Sequence, residues 1–128
     1  MADASAGTGD PGAITGYHAH IYYDPQATRA AAGRLREAIG AAFPMVRIGS
    51  WHDDPVGPHG VAMYQVVFGV GEFARLVPWL MLQRGGLDIL VHPQTGNSYA
   101  DHTAHALWLG EPQPLRLDVL RRARAGGG

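Results

Sequence analysis

The chain has 128 residues, a hydrophobic fraction of 46% and a formal net charge of −1 at pH 7. A chain of this length can bury one hydrophobic core, so we expect a single globular domain. The near-neutral charge gives no basic field for nucleic acid or an anionic membrane surface. The absence of cysteine excludes disulfides, thiolate metal sites and cysteine nucleophiles. No apolar run approaches the ~20 residues of a membrane helix and no leader pattern is recognised, so we expect a cytoplasmic protein.

Both ends of the chain lack apolar periodicity. Residues 1–13 are small and polar, which predicts a disordered lead-in. The segment RRARAGGG predicts a flexible tail over 121–128. Residues 14–120 are therefore expected to form the one folded domain.

The first half of this domain predicts a strand, a helix and a second strand. Beta-branched and aromatic residues predict the first strand over 14–23. Asp24-Pro25 is typical of a helix start, and the helical stripe that follows ends at Phe43-Pro44. Residues 45–51 predict the second strand.

The second half repeats a strand, a helix and a strand. Residues 61–68 predict the third strand, after the loop HDDPVGPHG. A helix is predicted to open at Gly71-Glu72 and to stop at Gly85-Gly86, with Pro78 expected to kink or restart it. Residues 87–91 predict the fourth strand.

The resulting order, β-α-β-β-α-β, is the ferredoxin-like split motif of the α+β class. It predicts an antiparallel sheet in the order 4-1-3-2 with both helices on one face. Residues 104–109 predict a short extra strand or an irregular segment, and residues 79–82 are expected in the core. The second face of the sheet is left for solvent, a site or a partner subunit. Because that face and the sheet edges are unprotected, we expect a homodimer.

Seven histidines are the most informative feature, and most of them lie at the ends of predicted elements. They are His18, His20, His52, His59, His92, His102 and His105. Imidazole binds divalent first-row metals and transfers protons near neutral pH. Side chains alternate across a strand, so His18, His20 and His92 are predicted on the face that the helices leave open.

The predicted topology brings distant histidines to one corner of this face. Strands one and four are expected to be antiparallel neighbours, which places His92 near His18. Strands one and three are taken as parallel neighbours, which places His59 at the same corner, with His20 roughly 6.6 Å further along its strand. This group predicts a metal site with metal–nitrogen bonds of about 2.1 Å. A metal-free acid/base cluster and a structural cluster are the alternatives.

Other polar residues are assigned more ordinary places. Asp88 is the carboxylate whose position suits the histidine face. His52 is interpreted as an exposed loop residue, and Asp101 as a solvated turn or capping residue. Arg47 or Arg84 could bind a substrate carboxylate through two parallel hydrogen bonds, although surface charge is the simpler interpretation.

Four segments resemble one known family. They are YHAHIYYD, PVGPHGVAMYQVVF, FARLVPWLMLQRGGLDILVHPQTGN and DHTAHALWLGEP. They resemble the small bacterial and fungal DOPA 4,5-dioxygenases, over a span from about Tyr17 to Leu120. The family's usual PVGPHP is PVGPHG here, so Gly60 replaces a proline next to His59.

The resemblance implies extradiol cleavage of a catechol such as L-DOPA by O₂ at non-haem Fe(II). Three protein ligands would leave positions for the catechol oxygens and for O₂. The ligands assigned on this basis are His18, His59 and His92. His20 is assigned as the acid/base, and His20 and His59 could exchange roles. A set of two histidines with Asp88 or Glu72 is the alternative.

Further residues are candidates for contact with the substrate. They are Tyr22, Gln65, Trp108, His102 and His105. Two other functions stay open: a ferredoxin-like module that binds a small molecule, and a cofactor-free monooxygenase whose O₂ uptake survives chelation. The residues do not decide between 4,5 and 2,3 cleavage.

Overall fold

The computed structural model describes residues 9–125. Residues 1–8 of the predicted lead-in and residues 126–128 of the predicted tail lie outside the described part. Within the lead-in, Pro11–Ala13 form one turn of 3-10 helix. A helix over Leu117–Ala125 continues past the start of the predicted tail.

A five-stranded antiparallel sheet forms the centre of the domain. Its strands are β1 (Tyr17–Tyr22), β2 (Arg47–Ile48), β3 (Met63–Phe68), β4 (Ile89–Pro93) and β5 (Leu107–Leu109). Their spatial order is β2-β3-β1-β4-β5. The predicted α+β, ferredoxin-like fold with the order 4-1-3-2 is confirmed, and β5 extends the sheet beside β4.

One pairing differs from the prediction: β1 and β3 are antiparallel, with Tyr17 opposite Phe68 and Tyr22 opposite Met63. The expectation of a parallel pair was wrong. The helix between β1 and β2 returns the chain so that these two strands run the same way, and β3 is antiparallel to β2. The residues before β3 therefore lie beside the end of β1, and His59 must reach the site by another route.

Two helices, α1 (Arg29–Ala42) and α2 (Phe73–Gln83), cover one face of the sheet. Alternate residues of β1, β3 and β4 are buried against them, as the strand parity predicted. This core includes Ala19, Ile21, Leu35, Ile39, Tyr64, Val66, Leu76, Leu80, Ile89 and Val91. Burial of branched aliphatic side chains on this scale, each worth about 1.5–3 kcal/mol, stabilises the helix–sheet layer.

The helices depart from prediction in three details. The chain after Asp24 first forms a turn, in which its carbonyl accepts the N–H of Thr28, and α1 begins only at Arg29. The second helix runs through Pro78 without a break. Met81 and Leu82 at its end are 49% and 85% exposed, so their predicted place in the core was wrong.

The other face of the sheet is partly covered by the chain itself. A small apolar cluster of Tyr22, Met63 and Leu90 is packed under Leu115 and Trp108. Two further helices, α3 (Ser98–His102) and α4 (Leu117–Ala125), contact each other near this face. The histidine-bearing part of the face stays open beside this cover. Within residues 9–125, no helix has the length and apolar character needed to cross a membrane.

Candidate metal centre

Three imidazoles project from the sheet itself. His92 in β4 is directly opposite His18 in β1, and their ring centroids are 5.1 Å apart. His20 lies two residues further along β1, so it shares their face. Its Nε2 is 3.0 Å from Nε2 of His92. Strand alternation and antiparallel register are enough to place these three side chains together.

Two more imidazoles approach from outside the sheet. His59 lies in the loop before β3, where β-bridges to Val56 and Leu115 hold its backbone. Its ring centroid is 4.1 Å from that of His20. His102 ends α3, and its ring centroid is 4.0 Å from that of His92. Five imidazoles therefore converge over one region of the open face.

These five side chains line one cavity of about 390 Å³. Gln65 lines it as well, because it is the β3 partner of His20. His52 is also part of the lining, and its backbone forms a β-bridge with Met63. The interpretation of His52 as an exposed loop residue was wrong, since this bridge holds the loop against the sheet.

Among the described residues, two groups of three have ligand atoms within 4.8 Å of one another. The groups are His18, His20 and His92, and His20, His59 and His102. The set predicted from sequence, with His18, His59 and His92, is split between them. Two nitrogens that each lie ~2.1 Å from one ion at a right angle are about 3.0 Å apart. The His20–His92 separation of 3.0 Å fits this requirement.

In His92 and His102, a hydrogen bond to a backbone carbonyl determines which ring nitrogen keeps its lone pair. Nδ1 of His92 is 2.9 Å from the Pro93 carbonyl oxygen, and Nδ1 of His102 is 2.7 Å from the Ser98 carbonyl oxygen. A carbonyl oxygen only accepts, so both Nδ1 atoms carry the hydrogen. Nε2 of each neutral ring then keeps a lone pair, as in histidines that ligate metals.

His20 is the least satisfied side chain in the site. It is 3% exposed, and its buried Nδ1 finds no hydrogen-bond partner among the described residues. Leaving such a nitrogen unpaired costs about 1–3 kcal/mol. Unsatisfied buried groups of this kind frequently mark functional sites. The fit of a metal ion to the cluster is supported by the Nε2 lone pairs of His92 and His102 and by the 3.0 Å separation between Nε2 of His20 and Nε2 of His92.

His59 differs from His92 and His102 in its hydrogen-bond partner. Its Nδ1 is 2.7 Å from the hydroxyl oxygen of Tyr22, which is 3% exposed. Within the described residues the structure gives this hydroxyl no other hydrogen-bond partner. Tyr22 therefore donates to Nδ1, since the opposite arrangement would bury its hydrogen unpaired. The neutral His59 ring then carries its hydrogen on Nε2.

Burial lowers the pKa of all five clustered histidines, and for His18, His20, His59 and His92 the positive charges of neighbouring groups lower it further. The pKa falls to about 4 for His59 and to about 3 for His92. The same causes hold the pKa of His20 well below its usual range and lower the pKa of His18. Desolvation also lowers the pKa of His102. At neutral pH the cluster is uncharged, which is the state a metal ion binds.

The candidate carboxylate ligands lie elsewhere. Asp88 accepts hydrogen bonds from the Glu111 backbone and the Gln113 amide, at a different cavity. Glu72 is paired with Arg75. Within the part of the chain that the structure describes, the candidate ligand groups consist of histidine alone.

Asp101 has a structural place that the sequence did not indicate. It is 2% exposed and accepts from the backbone N–H and the hydroxyl of Thr95, at 3.0 and 2.6 Å. The interpretation of Asp101 as a solvated residue was wrong. These bonds fix the turn that leads into α3, and so they position His102 at the end of that helix.

The predicted substrate-contacting residues separate into three places. Gln65 and His102 line the histidine cavity, whereas Tyr22 lies behind His59. Trp108 stacks on Tyr22, with centroids 5.9 Å apart. His105 is exposed and lines another cavity, of about 610 Å³, near Pro11–Ala13.

Comparison with known proteins identifies relatives along most of the chain. The family model described as "Dopa 4,5-dioxygenase family" matches residues 17–119. A crystal structure from Nostoc punctiforme, of a protein provisionally described as a dioxygenase, is 49% identical with a TM-score of 0.87. The match covers 91% of this chain and 99% of that one.

Two fungal proteins are similar in sequence. An uncharacterized 21.2 kDa protein of Botryotinia fuckeliana is 37% identical, over 90% of this chain and 68% of that protein. A DOPA 4,5-dioxygenase of Amanita muscaria is 36% identical, over 81% of this chain. The match spans about half, 49%, of the Amanita protein.

Proposed function

Because this chain belongs to the Dopa 4,5-dioxygenase family, we propose that it cleaves the ring of a catechol such as L-DOPA with O₂, using a non-haem Fe(II) ion. The observation that carries the proposal is the convergence of five uncharged imidazoles on one cavity. In this reaction a ring carbon–carbon bond beside a hydroxyl breaks, and both atoms of O₂ enter the product. The reaction balances without any external reductant.

We assign the iron ligands to His18, His20 and His92. All three stand on neighbouring strands of the sheet, and side chains on strands hold a metal geometry more rigidly than side chains on loops. Bound Fe(II) would bring the catechol oxygens and O₂ together and allow electrons to pass between them. The assignment based on resemblance had His59 as a ligand and His20 as the acid/base, and here the two exchange roles. The reason is that Tyr22 donates to Nδ1 of His59, which leaves a hydrogen and no lone pair on its Nε2.

The two remaining imidazoles are suited to different tasks. His102 has a lone pair on Nε2, so it can accept a proton from a catechol hydroxyl and later return it. His59 has a hydrogen on Nε2, so it can donate a hydrogen bond to an oxygen that gains negative charge. Tyr22 holds the His59 ring in that tautomer. In this proposal the proton moves through His102, and His59 stabilises the charged oxygen.

The test is anaerobic reconstitution with Fe(II), followed by L-DOPA and then O₂. We expect a yellow ring-opened product, consumption of one O₂ per catechol, and loss of both on chelation. His105→Gln is the matched control, because the exposed His105 side chain does not line the histidine cavity and its loss should leave the reaction intact. If iron-loaded protein forms no product from any catechol tried, the proposal is wrong. O₂ uptake that survives exhaustive chelation would instead support a cofactor-free monooxygenase.

A further inference from the structure

A row of cross-strand partners links the edge of the sheet to the proposed iron ligands. Arg47 in β2 is opposite Val67 in β3, Val67 is opposite His18, and His18 is opposite His92. Direct partners in an antiparallel sheet share a face, so the Arg47 side chain rises on the histidine side. At a strand spacing of ~4.8 Å its backbone lies about 10 Å from that of His18.

The guanidinium of Arg47 is exposed, and the described residues offer it neither a hydrogen-bond acceptor nor an ion-pair partner. All but Arg34 of the other arginines whose side chains the structure describes are engaged: Arg29 and Arg75 in ion pairs, Arg84, Arg116 and Arg121 with oxygen acceptors, and Arg36 over aromatic rings. Arg84, the other candidate from sequence, donates to the Leu87 carbonyl. Arg47 therefore keeps its donors available for a ligand.

The cavity extends toward this arginine. Gly49, two residues beyond Arg47, lines the histidine cavity, and its N–H is 2.7 Å from the Gln65 carbonyl oxygen. An anionic group at this end of the cavity would meet Arg47 as its cation.

We propose that Arg47 anchors a carboxylate on the side chain of the substrate, so that the physiological substrates are catechols bearing such a carboxylate. This inference rests on the proposed function. In L-DOPA the carboxylate lies on the side of the ring opposite the catechol oxygens, so it points away from the iron ligands when those oxygens are bound. Guanidinium matches a carboxylate through two parallel hydrogen bonds.

The test compares L-DOPA with dopamine, which has the same ring and amine but lacks the carboxylate. For wild-type protein, kcat/KM should be higher for L-DOPA. In Arg47→Gln the KM for L-DOPA should rise about tenfold or more, with kcat and the dopamine constants little changed. Arg47→Lys should recover part of the loss because the charge is kept. Arg34→Gln, an exposed arginine on the helix side, is the matched control.

A second measurement does not depend on turnover: calorimetric titration of each iron-loaded variant with L-DOPA under argon. Weaker L-DOPA binding in Arg47→Gln than in Arg34→Gln supports the anchor. If the wild type cleaves both catechols but Arg47→Gln leaves their ratio and the L-DOPA affinity unchanged, the anchor is wrong while the proposed function stands. If the iron-loaded wild type cleaves neither these two nor any other catechol tried, the proposed function itself has failed.

Discussion

The hydroxyl of Tyr22 donates a hydrogen bond of 2.7 Å to Nδ1 of His59, on the face of the sheet that carries the histidine cavity. Tyr22 comes from β1 and His59 from the loop before β3, so the bond joins the sheet to the element that covers it. It also distinguishes His59, whose Nδ1 accepts a hydrogen bond, from His92 and His102, whose Nδ1 atoms donate to carbonyl oxygens. Because of this one hydrogen bond, His59 presents an N–H donor at Nε2, whereas His92 and His102 present lone pairs there.

Tyr22→Phe should therefore slow turnover without removing the metal. We expect kcat to fall about 10- to 100-fold, with KM and bound iron nearly unchanged, because Tyr22 only orients the His59 donor, whose complete removal would cost about 10²- to 10³-fold. Steady-state kinetics with metal analysis measures both. Tyr23→Phe is the matched control, since that hydroxyl bonds Asp53 and its ring packs on the helix side. Equal kcat losses in the two variants would contradict the role given to Tyr22.

Replacing His92, a proposed iron ligand on β4, should abolish iron binding. In His92→Gln we expect retained iron to fall at least tenfold after anaerobic reconstitution and desalting, because the ion loses one of three protein ligands. Atomic absorption gives the ratio of iron to protein. His105→Gln should keep the wild-type ratio. Full iron retention in His92→Gln would rule out the ligand set His18, His20 and His92.

The metal-free protein should lose stability in mild acid. Histidines of the unfolded chain titrate near 6.5, whereas burial lowers the pKa of His59 to about 4 and that of His92 to about 3. Between these values the unfolded chain binds more protons, so the free energy of unfolding falls as pH falls below 6.5. Each such histidine contributes about 1.4 kcal/mol per pH unit.

Urea denaturation of the metal-free protein at several pH values between 7.5 and 5 tests this dependence. His92→Gln should flatten the curve, because the substituted side chain does not titrate. A midpoint that stays constant across this range would show that the cluster is more solvated than its burial implies.

A homodimer stays a prediction. The histidine face is partly covered by the chain's own loops and α3–α4, so the exposed apolar side chains of Met81 and Leu82 on the helix layer offer an alternative contact. Sedimentation equilibrium at high protein concentration measures the association. If Leu82→Glu weakens it, the helix layer forms the contact. A wild-type monomer at every concentration would contradict dimerisation altogether.

The fold and part of the site were predictable because they depend on local periodicity. Alternation along β1 puts His18 and His20 on one face, and the pairing of β1 with β4 puts His92 on the same face. His59 was included in the predicted group because β1 and β3 were expected to be parallel, and that expectation was wrong. What holds it there is a local turn that bridges it to Val56 and a bridge to the distant Leu115, and the second pairing has no signature in the sequence.

The remaining members of the site depend on tertiary contacts. His102 lies beside His92 because a buried Asp101 fixes the turn before α3, and His52 lines the cavity because of its bridge to Met63. In sequence, His52 and Asp101 read as ordinary loop or turn residues, and His102 is a candidate for substrate contact only. The burial of His102, and with it its lowered pKa, exists only after the chain has folded over the open face.

By itself, the sequence determined the class of fold, the uncovered sheet face and the concentration of imidazoles there, since these follow from residue type and strand periodicity. Only the tertiary structure decided which nitrogens keep lone pairs and which carry hydrogen. That choice depends on the Pro93 and Ser98 carbonyls and the Tyr22 hydroxyl, and a hydrogen bond forms only where folding brings its two atoms within about 3 Å.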